Sequence, residues 1–194
     1  MWLKCRKPPS GARWKIVNSM SLPLPCIVDT NVAIVANGDS PQASLESQLL
    51  CIDALLEICR KGMLVLDQSD LIFNEYSAHL SFAGQPGTGD MFMKWVNDYR
   101  WNENYCELRQ ITLTADGKIF EEFPDHPDLG NFDRSDRKFV ATSNAGVEKI
   151  PIIQAVDFKW WGWKGALAEC GIHVHFINPT EAETGYRAHL GDAG

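Results

Sequence analysis

Apolar residues follow two rhythms along this chain. Short apolar runs occur at Cys26-Ile27-Val28, at Met63-Leu64-Val65-Leu66 and, broken only by Gln154, from Pro151 to Ala155, and a last short strand is read from His173 to Phe176, where Val174 and Phe176 alternate with histidines. Runs of that length, bounded by turn-forming residues, predict strands buried on both faces. Helical spacing fills the intervals. Gln42 to Lys61 places Leu45, Leu49, Ile52, Leu55, Leu56 and Ile58 at helical positions and stops at Gly62. Ser69 is placed to cap a helix reaching about Phe82, Gly84 to Gly89 breaks the chain, and Met91 to Trp101 predicts another helix.

The second half continues the alternation. Glu107 to Thr114 alternates well enough for a strand or edge hairpin ahead of the turn Asp116-Gly117, and His126 to Asn131 reads as a loop. Helices are predicted from about Arg134 to Asn144 and from Trp160 to Cys170, the latter stopped by Gly171. Strands separated by helices imply an α/β fold, with a parallel sheet covered by helices on both faces. No internal repeat interrupts this order.

The chain has 194 residues, 45% of them hydrophobic, enough for one domain with a sizeable core. That domain is expected to span 20–180, followed by a C-terminal tail over 181–194. Residues 1–19 lack clean periodicity and carry Lys4, Arg6, Lys7, Arg13 and Lys15 with no acid. They read as a basic extension, disordered or preceding the natural start at Met20, or as an arm touching nucleic acid through its charge and Trp2 and Trp14.

Composition narrows the class further. No apolar run approaches the ~20 residues of a membrane helix, and no signal-peptide core is visible. The six cysteines form no CxxC pair, and several fall in apolar runs where cysteine acts as a small hydrophobe, which predicts a reduced, cytoplasmic protein. The net charge of -7 argues against a broad nucleic-acid footprint, so any such groove must be local.

The candidate chemistry lies in four acids. Asp29 ends the first apolar run and is followed by Thr30 and Asn31; Glu75 lies on a helix, Asp136 near the start of another, and Asp157 two residues past a strand. Open α/β sheets bind ligands at the carboxyl ends of their strands. Clustered carboxylates repel one another, and a hard cation such as Mg²⁺ or Mn²⁺ reverses that penalty. It also activates water and stabilises charge on a phosphate. The five histidines form no evident zinc motif.

These residues carry a resemblance. Val28-Asp29-Thr30-Asn31, Asn74-Glu75-Tyr76-Ser77-Ala78-His79-Leu80, Asp136-Arg137-Lys138-Phe139-Val140-Ala141-Thr142 and Ala155-Val156-Asp157-Phe158 resemble, in order, the four motifs of PIN-domain ribonucleases, the fold of the VapC toxins. The likeness covers about 25–178. It departs at the fourth motif, where that family more often has threonine before the aspartate. It implies a Rossmann-like three-layer fold with a central sheet of about five parallel strands. It also implies a Mg²⁺ or Mn²⁺ site and hydrolysis of single-stranded or structured RNA by Asp29, Glu75, Asp136 and Asp157. Thr30 or Asn31 would orient Asp29 or a water on the metal. A toxin would have an antitoxin partner, and a homodimer is compatible.

Each residue has a plainer role to weigh. Asp29 and Asp157 also suit helix capping, and Glu75 alone would be solvated charge. Asp133 shares a face with Asp136 and is assigned as the cap or an accessory acid, which leaves Asp136 to the site. Arg134, Arg137, Lys138, Lys159 and Lys164 could form a rim for a phosphate backbone. Trp160 and Trp163 are expected in the core, with Trp161 exposed to stack a base. The rival readings are a non-catalytic PIN-like module binding RNA or protein, and a small-substrate phosphatase. The latter is disfavoured because Asp29-Thr30-Asn31 lacks the second aspartate an aspartyl-phosphate enzyme would use.

Overall fold

The computed structural model describes residues 22–192; the basic extension lies outside them. The elements in chain order are β1 (Ile27–Val28), α1 (Thr30–Asn37), α2 (Leu45–Lys61), β2 (Leu64–Asp67), α3 (Leu71–His79), α4 (Thr88–Tyr99), β3 (Cys106–Arg109), α5 (Arg137–Asn144), β4 (Ile152–Gln154), α6 (Phe158–Glu169), β5 (Val174–Phe176) and α7 (Pro179–Asp192). The α/β alternation is as the apolar rhythm predicts.

All strand pairs are parallel. One sheet has the order β1-β4-β5, with Ile27 opposite Ile152 and Ile153 opposite His175. A second pairs β2 with β3, Leu64 opposite Cys106. They meet at one parallel bridge, Cys26 to Leu64, where Cys26 N–H donates to Met63 O at 3.1 Å and Val65 N–H to Cys26 O at 2.8 Å. The expectation of about five strands in one sheet is thus corrected to three plus two. Upstream of Cys26 the prolines Pro23 and Pro25 have no amide hydrogen to pair with β2, and downstream the Val28 carbonyl accepts from the buried Tyr76 hydroxyl instead of from β2.

Helix α1 carries no amphipathic signal because Thr30, Val32, Ala33, Val35 and Ala36 are all buried. It starts at Asp29, whose carboxylate accepts from Asn31 N–H, and ends at Gly38 (φ 81°), whose N–H caps two carbonyls. The left-handed backbone there suits glycine. Helix α4 packs on α1 at backbone distance. Asn37 Oδ1 accepts from Gly89 N–H at 2.7 Å and Asp90 N–H at 3.2 Å, while Asn37 Nδ2 donates to Asp90 Oδ1 at 3.1 Å. A Cβ on Gly89 would lie 2.2 Å from Ala33 O.

Three details differ from the periodic reading. On α2 the buried stripe is Ser47, Cys51, Ala54, Leu55 and Ile58, and Leu45 and Leu49 are 70% and 54% exposed. The buried stripe is set by Cys51, Leu55 and Ile58 with small Ser47 and Ala54 beside them, and Leu45 and Leu49 lie off it. Helix α3 is capped by Asp67, not Ser69: its carboxylate accepts from Leu71 N–H at 2.8 Å and Ile72 N–H at 2.7 Å. The C-terminal segment expected to be a tail is α7, which packs on α6. Glu181 accepts from Ser44 N–H at 2.9 Å and Ser47 Oγ–H at 2.8 Å, tying α7 to the start of α2. No helix among the described residues is long and apolar enough to cross a membrane.

Candidate active site

Three aspartates end or follow parallel strands, and their hydrogen bonds distinguish them. Asp67, on β2, commits both oxygens to the α3 amides. Asp29 follows β1 and caps α1 with Oδ1 alone, accepting from Asn31 N–H at 2.8 Å. Asp157 follows β4 by three residues and caps α6 with Oδ1 alone, accepting from Lys159 N–H at 3.0 Å. The capping role and a ligand role are therefore compatible at Asp29 and Asp157, because one oxygen of each remains uncommitted among the described residues. At Asp67 they are not.

Strands β1 and β4 are neighbours, and Asp29 N–H itself donates to Ile153 O at 3.0 Å. The chain runs from β1 to β2 and β3 on one side and to β4 and β5 on the other. The β1/β4 boundary is thus where strand order reverses, the place where open α/β sheets form a crevice.

Asp136 precedes α5 without capping it by its side chain. Its Oδ2 accepts from the buried indole Nε1–H of Trp160 at 3.1 Å, and Oδ1 from Ser135 Oγ–H at 3.1 Å. Asp133 instead holds the turn ahead of α5, accepting from Ser135 N–H at 3.0 Å and Oγ–H at 2.8 Å. Asp133, expected to cap α5, therefore bonds only within the turn before it, and the residue at the cap position is Asp136, whose side chain makes no capping bond. Glu75, on α3, accepts from Thr30 Oγ–H at 2.6 Å and pairs with Lys138 Nζ. Tyr76, next to it, is buried and donates to Val28 O.

Asp29, Asp136 and Asp157 are all shifted in one direction. Burial, then Asp136, pushes the Asp29 carboxyl well above the usual carboxylate range; Glu75 and Asp157 add to it. Burial and the neighbouring Asp133 raise Asp136 to about 6. Burial likewise raises Asp157, against the opposing effects of the Lys159 amide and charge. Asp133, by contrast, is lowered by its bonds from Ser135. Three acids at one sheet end therefore resist ionising unless a cation joins them.

Among the described residues, no three acidic, imidazole or thiol groups converge at direct ligating distance. The carboxylates feel one another's charge without sharing one coordination point. Magnesium is commonly held by one or two carboxylates with water completing the shell, and the free oxygens of Asp29 and Asp157 are of the kind it takes. A second observation fits it too: Asn31 Oδ1, beside Asp29, is buried without any hydrogen-bond donor. An orphaned oxygen is costly unless a donor or cation reaches it. The residues able to hold the ion are Asp29 and Asp157, each with one uncommitted oxygen, and Asp136 through Oδ1, because Ser135 has a single hydroxyl hydrogen and its shorter contact is with Asp133; Glu75 lies alongside.

Several expected roles change. Thr30 orients Glu75 rather than Asp29, because its hydroxyl is directed across to α3. Arg137 is 7% exposed, and its guanidinium donates to Phe132 O and Gly130 O and lies over the Phe123 ring; it holds a loop and is withdrawn from any phosphate. Lys138 faces Glu75 and donates to Ser135 O, so it sits inside the acidic set rather than on a rim. Trp161 is half-buried with its edge against Phe176, and Lys164 Nζ lies 3.0 Å from its ring centre, so that face is covered. Arg134 and Lys159 remain exposed beside the site. Trp160 and Trp163 both pack on Phe132, as expected of core residues.

Ser135 and the Trp160 indole are site residues that sequence reading did not reach. A serine between two aspartates was a usable signal for the first; nothing local announced the second. Compared with known proteins, the chain matches no family model, no curated protein and no solved structure.

Proposed function

We propose that this protein is a PIN-like, divalent-metal-dependent endoribonuclease. The observation that carries the reading is the placement of Asp29 and Asp157 at the carboxyl ends of adjacent strands β1 and β4. Each caps a helix with one oxygen and keeps the other for a ligand. The bridge between Cys26 and Leu64 joins the three-stranded and two-stranded sheets edge to edge, so that the strands run β3-β2-β1-β4-β5 across one layer, an arrangement compatible with a PIN-like fold.

In this reading Asp29, Asp136 and Asp157 present oxygens to Mg²⁺ or Mn²⁺. Bound there, the ion would supply Lewis acidity toward water and the scissile phosphate. The chain does the positioning. Asn31 N–H fixes the Asp29 carboxylate, the Trp160 indole fixes Asp136, and the Lys159 amide fixes Asp157. Thr30 holds Glu75 close by. Arg134 and Lys159 supply exposed positive charge for an incoming phosphodiester chain. RNA is the proposed substrate and the cytoplasm the proposed compartment. A toxin role would further require an antitoxin protein, and a small inhibitor encoded beside this chain would support it.

A specific observation also favours the second reading, a non-catalytic PIN-like module. Lys138 already neutralises Glu75, so the acid set is partly served by an internal cation. Cleavage of single-stranded RNA and DNA in Mg²⁺, Mn²⁺ or EDTA, with wild type and Asp29→Asn, separates the two. Metal-dependent cleavage of RNA lost in Asp29→Asn is the expected result. Binding without cleavage in any metal would sink the nuclease and leave the module.

A further inference from the structure

The segment between β3 and α5 is long, and part of it forms a small hairpin beside the acids. Leu113 and Phe120 pair antiparallel, Thr114 N–H donates to Ile119 O at 2.9 Å, and Glu121 N–H donates to Thr112 O at 2.8 Å. Gly117 turns the hairpin with φ 67°, a conformation open to glycine. This pairing fixes Leu113 and Phe120 next to each other on one wall.

Leu113 and Phe120 line a cleft of about 290 Å³ together with Arg134, Ser135 and Lys138 and with Leu71 and Glu75 of α3. Glu75 and Lys138 belong to the acidic site, so cleft and site share a boundary. Arginines that form ion pairs among the described residues are Arg100, Arg109 and Arg187; Arg134 is not one of them. An apolar pair that includes an aromatic ring therefore shares with an uncommitted guanidinium a space at the small end of ligand sites.

We propose that this cleft is a base-binding subsite for the nucleotide next to the scissile phosphate, and that it restricts the enzyme to unpaired RNA. The proposal rests on the nuclease reading above for the position of the scissile bond. A base enters with its face toward Phe120 and Leu113, while a backbone phosphate of the same strand meets Arg134. Stacking on an aromatic needs only a π-face and tolerates any base, whereas a base inside a duplex has its faces covered by its neighbours. The hairpin wall thus selects strand state rather than sequence. Trp161, with one face covered by Lys164, cannot serve this purpose; Phe120 takes it.

The test uses a fluorescein-labelled single-stranded RNA octamer and the same octamer annealed to its complement, titrated with the full chain in EDTA. The single strand is expected to bind at least about 10-fold more tightly than the duplex. Phe120→Leu, which keeps an apolar side chain but removes the ring, should weaken single-strand binding on the order of 10-fold, and Phe120→Ala by more. Arg134→Gln should lower the salt slope by about one. Melting temperatures measured alongside identify a variant that merely unfolds, and Phe120→Leu covers the case in which Phe120→Ala does.

Equal binding of duplex and single strand, or Phe120→Leu binding like wild type in a folded protein, overturns the subsite. Cleavage assays on the same proteins keep the two readings apart. Cleavage of both substrates alike by wild type and Phe120→Leu would leave the nuclease standing without the subsite. Phe120-dependent binding with no cleavage would leave the subsite on a non-catalytic module.

Discussion

The Trp160 indole donates to the Asp136 carboxylate at 3.1 Å, joining a core side chain of α6 to the acid that opens α5. Phe132 packs edge-on against the same indole, so the donor has little freedom to turn away. A buried ring thereby orients a group at the mouth of the site.

Replacing Trp160 with phenylalanine keeps an aromatic ring in the core and removes that donor. A hydrogen bond to a charged group is worth about 1.5–3 kcal/mol, so Trp160→Phe should lose about that much stability at pH 8, plus a packing term. The loss should shrink near pH 5, where Asp136 takes up a proton. Urea denaturation at both pH values checks this. An equal loss at the two would mean that only packing was removed.

The raised Asp136 makes stability depend on pH in a stated direction. Its ordinary value is 3.8 and its value in the folded chain is about 6, so the folded state holds the proton more tightly. That contribution is complete below about pH 4 and is lost as pH rises through about 6, amounting to at most about 3 kcal/mol at 1.36 kcal/mol per pH unit. Asp136→Asn should not show this fall between pH 4 and 6. The difference between the two proteins' stability curves isolates the group, and 5 mM Mn²⁺ should flatten the wild-type curve by favouring the ionised form. Parallel curves for wild type and variant would refute the assignment.

Lys138 makes a further prediction about the metal. Its ammonium neutralises Glu75 inside the acidic set, so it competes with any added cation for that carboxylate. Lys138→Met should lower stability in EDTA by about 1 kcal/mol, as for a part-exposed pair. It should also enlarge the rise in melting temperature produced by Mg²⁺ or Mn²⁺. Calorimetric titration reads the affinity directly. Unchanged metal affinity in the variant would show that the ion binds away from Glu75.

The docking of α7 is testable by itself. Glu181 accepts from both Ser44 and Ser47 and so links the last helix to the first turn of α2. Glu181→Ala leaves those donors without their partner and should cost about 1–3 kcal/mol. The bonds also hold the Glu181 carboxyl below its usual range, so the loss should fade on acidification as the wild-type group protonates. A variant as stable as wild type at pH 7 would show that α7 contributes nothing through this contact.

Periodicity exposed most of the fold because fully buried strands and amphipathic helices leave contiguous or regularly spaced apolar marks. It missed α1 because Val32, Ala33, Val35 and Ala36 are buried around most of the helix, leaving no polar face to set a phase. At the site, Asp29 and Asp157 were visible from their position behind apolar runs. Asp67 stands behind one too, and only the α3 amides reveal that both its oxygens are taken. Arg137 looked like a free cation since its partners, the carbonyls of Gly130 and Phe132 and the ring of Phe123, come from a loop without periodic signal. Residue type alone does not say whether a cation faces water or a carbonyl.

The clasp between α1 and α4 has a consequence for how this protein tolerates change. With the Gly89 Cα already against the Ala33 carbonyl and Asn37 occupied by the α4 amides, even a methyl group at position 89 must push α1 as a body. An eight-residue helix is too short to absorb the push by bending, and its first two residues are Thr30 and Asn31. The displacement would arrive at Asp29. In a saturation screen scored on function, position 89 should therefore register as intolerant as the acids themselves, although it offers no side chain and stands at the opposite end of the helix.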